Sequence, residues 1–272
     1  MVRVRNAPES TGMFSKRSPR PKDDGRYSWL STRPLHVLVF LLPLMIVYEV
    51  GSILYLADPS RGVIETIGAR SILGGFFEAF GVASLHLPPL ALATVLMVWQ
   101  FLERDSWRVR PVVLLGMLLE SFLWTLPILV FGLMLGMDQP AAGVDQGAGL
   151  AARSWQARIT LSLGAGIYEE LLFRLILVTA IHFVAVDLLR LSQGVGFVLA
   201  AVVSAIAFAL YHDVSSPGGG ADLWKFLFLG GAGVYFAALF IMRGFGVAVA
   251  THALYDVVVL LVVTGSGPPG PN

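Results

Sequence analysis

The sequence predicts an all-α protein, folded as a polytopic transmembrane helical bundle of seven or eight spans. Of its 272 residues, 56% are apolar and only 14% are charged, and the mean hydropathy is +0.75. These values lie well outside the averages for soluble domains. The apolar residues are grouped into segments that each approach the roughly 20 residues needed to cross a bilayer as a helix. Helices are required, because an open sheet would leave backbone groups unpaired in hydrocarbon.

Seven apolar segments are clear candidates for these helices, and one further segment is ambiguous. The clear candidates are residues 35–57, 85–102, 111–137, 159–186, 194–211, 223–242 and 246–264. Segment 63–83 is interrupted by Glu65, Arg70 and Glu78, so it could lie at the interface, re-enter the membrane or form an eighth span. Four tryptophans near the proposed span ends support the boundaries, since indole rings prefer the headgroup region. They are Trp29, Trp107, Trp155 and Trp224.

Two polar tails frame the predicted bundle. Residues 1–33 carry eight Lys and Arg residues against three acidic ones, which predicts a disordered basic tail on the cytoplasmic side. Residues 265–272 are rich in proline and glycine, which predicts a second disordered tail. Residues 34–264 would then form one membrane domain. Because no aromatic interleaving or binding motif accompanies the basic residues, we expect no nucleic-acid partner.

The loop at residues 103–110 bears on the orientation, since it contains Arg104, Arg108 and Arg110. If segment 63–83 does not cross the membrane, this loop and the basic tail both lie on the cytoplasmic side, as the positive-inside rule favours. If it does cross, they lie on opposite sides. We therefore expect a multi-pass integral protein, placed in a bacterial inner membrane. The chain has no cysteine, which excludes disulfides and thiolate chemistry.

Ionisable residues inside the spans are the clearest indication of function, because a charged side chain in lipid costs at least a few kcal/mol and is expected to face a partner inside the bundle. In GIYEELLFR, Glu170 and Arg174 are four residues apart and share a helix face, where they can form an ion pair. Glu169 lies about 100° around the helix from Glu170, so one arginine cannot easily serve both carboxylates. Glu169 is then free for chemistry; the alternative is that all three charges only hold helices together.

Two later spans carry further polar groups. In FALYH, Phe208 and His212 share a helix face at the end of a span, and in HALYD, His252 and Asp256 do so within an apolar run. If these spans pack beside the one that carries Glu169, the polar side chains could surround a water molecule. A carboxylate and a histidine on one water form a general-base pair, and a second histidine can stabilise the oxyanion formed at an amide carbonyl. This chemistry is peptide hydrolysis.

The motifs EELLFR, FALYH and HALYD resemble, in this order, the three transmembrane motifs of the CAAX proteases and bacteriocin-processing enzymes. Those motifs are EExxxR, FxxxH and HxxxN or HxxxD. The resemblance covers about residues 155–265. It implies an intramembrane endopeptidase of the glutamate type, whose substrate is a membrane-associated protein or peptide.

The resemblance also implies roles for particular residues. It implies catalytic roles for Glu169, His212, His252 and Asp256, and site-ordering roles for Glu170, Arg174 and Phe208. Glu169 and His212 would activate water. His252 and Asp256 would stabilise the oxyanion. The best-known CAAX-processing members have asparagine where this chain has Asp256, and an ionised aspartate cannot donate to an oxyanion, so Asp256 could instead orient or protonate His252, be protonated itself or ligate a metal.

Other readings of the same residues stay open. We expect no resident cofactor, although two histidines and up to three carboxylates could also bind a divalent metal such as zinc. The chain has no HExxH motif, and the ligands would be spread over three helices. The alternative function is a non-catalytic membrane scaffold or regulator of a partner membrane protein. A proton-coupled carrier is less consistent, because the polar groups are concentrated in one half of the chain.

Three further ionisable residues are weaker candidates. Glu49 and Glu120 lie alone in their predicted spans, which predicts neutral acids bonded to backbone carbonyls or acids that line a substrate path. His182 lies toward the end of the span that carries Glu169, where an interfacial position is expected. None of these three belongs to a motif.

Overall fold

The computed structural model describes residues 26–58, 63–64, 67–81, 86–135, 153–216 and 219–263. Within them, regular structure is helical apart from the two-residue strands β1 (Ala57–Asp58) and β2 (Val63–Ile64), which pair antiparallel, and one isolated bridge. The helices are α1 (Tyr27–Leu30), α2 (Pro34–Tyr55), α3 (Gly68–Ala79), α4 (Leu87–Glu103), α5 (Pro111–Met134), α6 (Trp155–Leu188), α7 (Gln193–Tyr211), α8 (Leu223–Arg243) and α9 (Phe245–Val258). This confirms the all-α class.

Several of these helices are long and apolar enough to cross a membrane. Among the described residues there are five such helices, α2, α5, α6, α7 and α8, while α4 and α9 are apolar but shorter. The protein is therefore an integral membrane protein, but the predicted count of seven or eight spans is not confirmed. Helix α3 has 12 residues. At about 1.5 Å per residue it is about 18 Å long, shorter than a hydrocarbon core of about 30 Å.

The local sequence determines where the helices begin. Helices α2 and α5 each start with a proline, Pro34 and Pro111, whose fixed φ suits the first helical position and whose missing N–H is not needed there. Helices α6 and α7 start after serines whose hydroxyls accept a backbone N–H, namely Ser154 and Ser192. Asp222 caps α8 in the same way. These caps explain why predicted and observed boundaries agree closely for α5, α7 and α8.

The start of α2 and the loop after α4 lie at the same end of the bundle. Arg33 forms ion pairs with Asp105 at 2.5 Å and with Glu103 at 3.4 Å. The backbone N–H of Arg110 donates to Nε2 of His36 at 3.3 Å. This arrangement agrees with the orientation in which segment 63–83 does not cross the membrane.

The end of the predicted N-terminal tail is ordered. Residues 27–30 form α1, and the Tyr27 hydroxyl donates to Glu120 at 2.5 Å. The prediction of a disordered tail up to residue 33 therefore extends too far, because a tyrosine and the Arg33 ion pairs attach residues 26–33 to the bundle. The rest of that tail, residues 1–25, and the predicted tail 265–272 lie outside the described residues.

Glu49 and Glu120 are ion-paired, so the prediction of neutral acids bonded to backbone carbonyls is wrong, while a place along a substrate path stays a prediction. Arg70 Nη2 donates to both carboxylate oxygens of Glu49, at 2.8 and 3.0 Å. Arg243 donates to both oxygens of Glu120. The partners lie 21 and 123 residues away in the chain, where span-by-span reasoning does not find them.

Close helix crossings at glycines bring the site helices together. A Cβ on Gly166 of α6 would lie 2.7 Å from the backbone nitrogen of Ala253 in α9. A Cβ on Gly233 of α8 would lie 2.7 Å from Cα of Ala205 in α7. Small residues permit this approach, which in lipid strengthens van der Waals packing between helices. Gly166 lies one turn before Glu169 and Glu170, so this crossing places both carboxylates against α9.

Candidate active site

The site begins at a change of helix type within α6. Residues Trp155–Glu170 are α-helical, and Leu171–Val178, which carry Arg174, are π-helical. The wider turn leaves carbonyls that need other donors, and the Ser204 hydroxyl of α7 donates to the carbonyl of Phe173 at 2.7 Å. Short π-helical segments are frequent at functional sites.

The four side chains predicted to be catalytic meet inside the bundle. Oε2 of Glu169 lies 3.6 Å from Nε2 of His212 and 3.9 Å from Nε2 of His252. Oδ2 of Asp256 lies 3.7 Å from the same nitrogen of His252. Each of these residues is at most 5% exposed. The meeting of residues from α6, α7 and α9 was expected from the sequence, and the structure brings them together.

His212 has a defined tautomer in this arrangement. It is the first residue after α7, and its Nδ1 donates to the carbonyl oxygen of Phe208 at 2.7 Å. Because a carbonyl can only accept, the neutral ring carries its proton on Nδ1 and presents the lone pair of Nε2 to Glu169. The turn that follows is fixed by Ser215, whose hydroxyl and N–H donate to Asp213 and hold the pKa of that carboxyl below its usual value.

His252 is oriented by Glu170. Its Nδ1 donates to Oε1 of Glu170 at 2.8 Å, and its ring stacks on Phe236 with centroids 4.6 Å apart. The carboxylate that orients this ring is therefore Glu170, while Asp256 faces the opposite nitrogen at 3.7 Å. The sequence left open whether Asp256 orients His252. In the structure Glu170 orients the ring, and Asp256 lies near its other nitrogen.

Arg174 is fully buried and joins three parts of the site. Its Nη1 lies 3.2 Å from Oε1 of Glu170, and its Nη2 donates to the carbonyl of Gly233 at 3.4 Å. The guanidinium carbon lies 4.4 Å from the centroid of the Phe208 ring, a cation–π contact. Phe208 in turn lies 4.5 Å from the His212 ring. Arg174, Glu170 and Phe208 thus surround the two histidines.

Several buried oxygens of the site have no hydrogen-bond partner among the described residues. They are both Oε atoms of Glu169, Oε2 of Glu170 and Oδ2 of Asp256. Leaving a buried acceptor unpaired is costly, so these oxygens are suited to receive a proton, a water molecule or a substrate N–H. Glu169 stands out because neither of its oxygens has such a bond.

A zinc ion would need several histidine and carboxylate donors directed at one point. In the part of the chain that the structure describes, no group of three or more histidine, aspartate or glutamate side chains is arranged to hold a metal ion. The site residues as arranged therefore do not fit a zinc ion.

Helix α8 contributes contacts that the sequence analysis missed. The carbonyl of Gly233 accepts from Arg174, and Phe236 stacks on His252. Ser204 of α7 is a third such residue. A backbone carbonyl and a phenylalanine within an apolar span give no polar signal, so only the proximity of α8 to the motif helices could have suggested them. His182, by contrast, lies apart from the site and contacts Phe197.

The fold and this site define a class of protein: a polytopic helical membrane protein with a buried glutamate–histidine cluster between its helices. Residues 151–258 match a family model described as Rce1-like, type II CAAX prenyl endopeptidase Rce1-like. All three motifs lie within this match, which confirms the resemblance inferred from the motifs. Searches of curated proteins and of solved structures found no match.

Proposed function

We propose that this protein is an intramembrane endopeptidase of the CAAX-protease type, which hydrolyses a peptide bond in a membrane-associated protein or peptide. The observation that carries the proposal is the position of Glu169, whose Oε2 lies 3.6 Å from Nε2 of His212 and 3.9 Å from Nε2 of His252. A buried carboxylate without hydrogen bonds, facing two imidazoles, is suited to activate water.

Water activation would use Glu169 and His212 together. One water oxygen can lie about 2.8 Å from both side chains, because their atoms are only 3.6 Å apart. As this oxygen attacks the peptide carbonyl, a water proton passes to Glu169. The carbonyl π-electrons move to its oxygen, which gives a tetrahedral oxyanion. Nε2 of His212 accepts the second hydrogen bond from the water, which directs a lone pair of the water oxygen at the carbonyl carbon.

The oxyanion would be stabilised by His252. Its Nδ1 is already held by Glu170, which favours a ring protonated on both nitrogens and leaves Nε2–H free to donate. Asp256, close to the same nitrogen, would support the positive charge of this ring. When the intermediate collapses, the C–N bond breaks and the leaving amine takes the proton from Glu169. The oxyanion electrons re-form the C=O bond, so the products are a carboxylic acid and an amine. Proton exchange between these products gives a carboxylate and an ammonium, and Glu169 returns to its ionised starting state.

The direct test is cleavage by purified protein. Wild type, Glu169→Ala and His212→Ala would be compared in detergent on a panel of membrane-tethered peptides, with prenylated and unprenylated C-termini as separate arms. We expect each variant to lose at least about 100-fold in rate, as is typical when a general base is removed. The matched controls are Glu78→Ala, an exposed glutamate of α3, and His182→Ala. Unchanged cleavage by both site variants contradicts the assignment.

A non-catalytic scaffold is the second candidate, because the site residues are at most 5% exposed. Complementation in the source organism separates the two functions. An enzyme requires wild-type Glu169, whereas a scaffold is fully rescued by the Glu169→Ala variant. The water-activation scheme also predicts that activity survives chelation, so stoichiometric zinc required for turnover would overturn it.

We further propose that α4 and α9 also lie in the bilayer, which gives seven spans in a bacterial inner membrane. Helix α9 is buried almost continuously from Phe245 to Ala253, so it does not need the length of a lipid-facing helix. The basic end of the bundle would face the cytoplasm. It carries Arg33, Arg104, Arg108, Arg110 and Arg243.

A further inference from the structure

The first turn of α3 contacts the residue that precedes each member of the water-activating pair. Tyr168 precedes Glu169 in α6, and Tyr211 precedes His212 at the end of α7. One face of this turn is buried, with Ile67 and Ala69 at 0% exposure. The segment that the sequence left ambiguous therefore reaches both sides of the site.

The contact with α6 runs through a buried arginine. Arg70 is 2% exposed, and besides its two bonds to Glu49 it donates to the hydroxyl of Tyr48 at 3.0 Å. The hydroxyl of Tyr168 donates to the same carboxylate of Glu49 at 3.1 Å. The Arg70 guanidinium also lies 5.5 Å from the Tyr168 ring centroid. The ring of Tyr168 thus contacts Arg70, and its hydroxyl is bonded to Glu49. These two contacts fix the rotation of α6 at the turn that carries Glu169.

The contact with α7 depends on a glycine. A Cβ on Gly68 would lie 2.6 Å from the hydroxyl oxygen of Tyr211. The Tyr211 ring lies 5.0 Å from the His212 ring at 89° and 5.3 Å from Phe173. Its hydroxyl is buried and lies against the backbone of Ala69 in the same turn of α3. A side chain at Gly68 would therefore displace Tyr211, and with it the turn that carries His212.

We propose that the first turn of α3, Gly68 to Arg70, is a positioning element that sets the separation of Glu169 and His212. Arg70 and Tyr211 are positioning residues, which act through Tyr168 and His212 and do not touch the substrate. This inference rests on the proposed function, since it concerns the same water-activating pair. The expected effect is large, because misplacing a reacting group by about 1 Å can cost about 100-fold in rate.

The test adds one methyl group at the contact. Gly68→Ala should lower kcat at least about tenfold and leave KM within about twofold, because the pair is misplaced while substrate binding is untouched. The matched control is Gly74→Ala on the same helix, where a Cβ meets nothing within 4 Å. In a Tyr211→Phe background the colliding oxygen is gone, so the same Gly68→Ala change should cost less than about threefold. An equal loss in both backgrounds, or an equal loss in the control, contradicts the proposal.

A second readout does not require turnover. In protein labelled with ¹³C,¹⁵N-histidine, the His212 ring signals, assigned with His212→Asn, should shift in Gly68→Ala and stay unchanged in Gly74→Ala. If wild type cleaves none of the peptides and the His212 signals still shift in Gly68→Ala, the proposed function fails and the positioning element stands. If wild type cleaves peptides but neither kcat nor the His212 signals respond to Gly68→Ala, the positioning element fails and the proposed function stands.

Discussion

At the scale of single residues, the carboxylates within the helices differ in how they are neutralised. Glu49 and Glu120 each receive two hydrogen bonds from an arginine, and Glu170 faces Arg174. Among the described residues, no arginine donates to Glu169, whose ion-pair contacts are with the two imidazoles. Since an unpaired buried charge is costly, the first three carboxylates can be explained by structure alone, and Glu169 is better explained by chemistry.

This difference predicts opposite consequences for two neighbouring substitutions. Glu170→Gln leaves Arg174 buried without its counter-charge, so we expect a loss of about 3 kcal/mol or more in unfolding free energy. Glu169→Gln leaves no arginine unpaired and should change stability by less than about 1 kcal/mol while cleavage is lost. Denaturation and cleavage of both variants in the same detergent measure this. A larger stability loss for Glu169→Gln than for Glu170→Gln would contradict the account.

Asp256 gives a second prediction at this scale. An asparagine of nearly the same shape keeps the packing and adds an N–H that can donate to the oxyanion, so Asp256→Asn should keep activity within about tenfold of wild type. Asp256→Ala removes the polar group near His252 and should cost about 100-fold, the typical effect of losing one oxyanion contact. Cleavage rates at saturating substrate measure both. Full activity in the alanine variant would remove Asp256 from the site.

Much of the site could be predicted from single residues, because an ionisable group in an apolar span must face a polar interior. That reasoning brought Glu169, His212, His252 and Asp256 together. It failed for Glu49 and Glu120, since their arginines lie elsewhere in the chain. It also missed the Gly233 carbonyl, because a backbone acceptor has no distinctive residue type.

At the scale of helices, proline and capping residues set the starts, and close crossings set the positions. Hydropathy predicted the apolar spans within a few residues, but it could not predict the π-helical segment Leu171–Val178. Hydropathy reports which residues avoid water, whereas the π turn depends on hydrogen-bond register and on a donor from another helix, Ser204. Hydropathy also left segment 63–83 ambiguous, because the residues that pair with Arg70 lie on another helix, α2.

The crossing of α6 and α9 gives a prediction at this scale. Gly166→Leu would drive a side chain into the backbone of α9 at Ala253, so we expect about 1–3 kcal/mol of destabilisation and a strong loss of cleavage as Glu169 separates from His252. The control is Gly230→Leu in α8, where a Cβ meets nothing within 4 Å. Thermal unfolding in detergent compares the two. Equal stability of the two variants would show that the crossing is not close.

At the scale of the whole molecule, Arg33 and His212 lie at different ends of the bundle. Arg33 and Asp105 join the start of α2 to the loop after α4. Near the other end of α2, Gly51 packs against Thr160 in the second turn of α6, so α6 runs from that end toward the end that carries Arg33. The short loop 189–192 makes α7 antiparallel to α6, so α7 starts at the Arg33 end and finishes, at His212, at the other. The positive-inside rule then predicts that the end of α7 faces away from the cytoplasm.

Single cysteines can test this topology directly, because the natural chain has none. Ser106→Cys lies in the loop after α4, and Ala221→Cys lies in the loop after α7; both positions are exposed. A membrane-impermeant maleimide added to spheroplasts should label the second variant and not the first. Permeabilised cells, in which both should react, provide the control. The reverse labelling pattern would contradict the predicted orientation.

The central claim is that Glu169 and His212 act as one unit on a single water molecule. Single-turnover cleavage by wild type, Glu169→Gln, His212→Asn and the double variant tests it most directly. If the claim is right, each single variant loses at least about 100-fold and the double variant is hardly slower than either, because residues that act as a unit are strongly non-additive. Cleavage by either single variant within about threefold of wild type, or losses that multiply in the double variant, would contradict it.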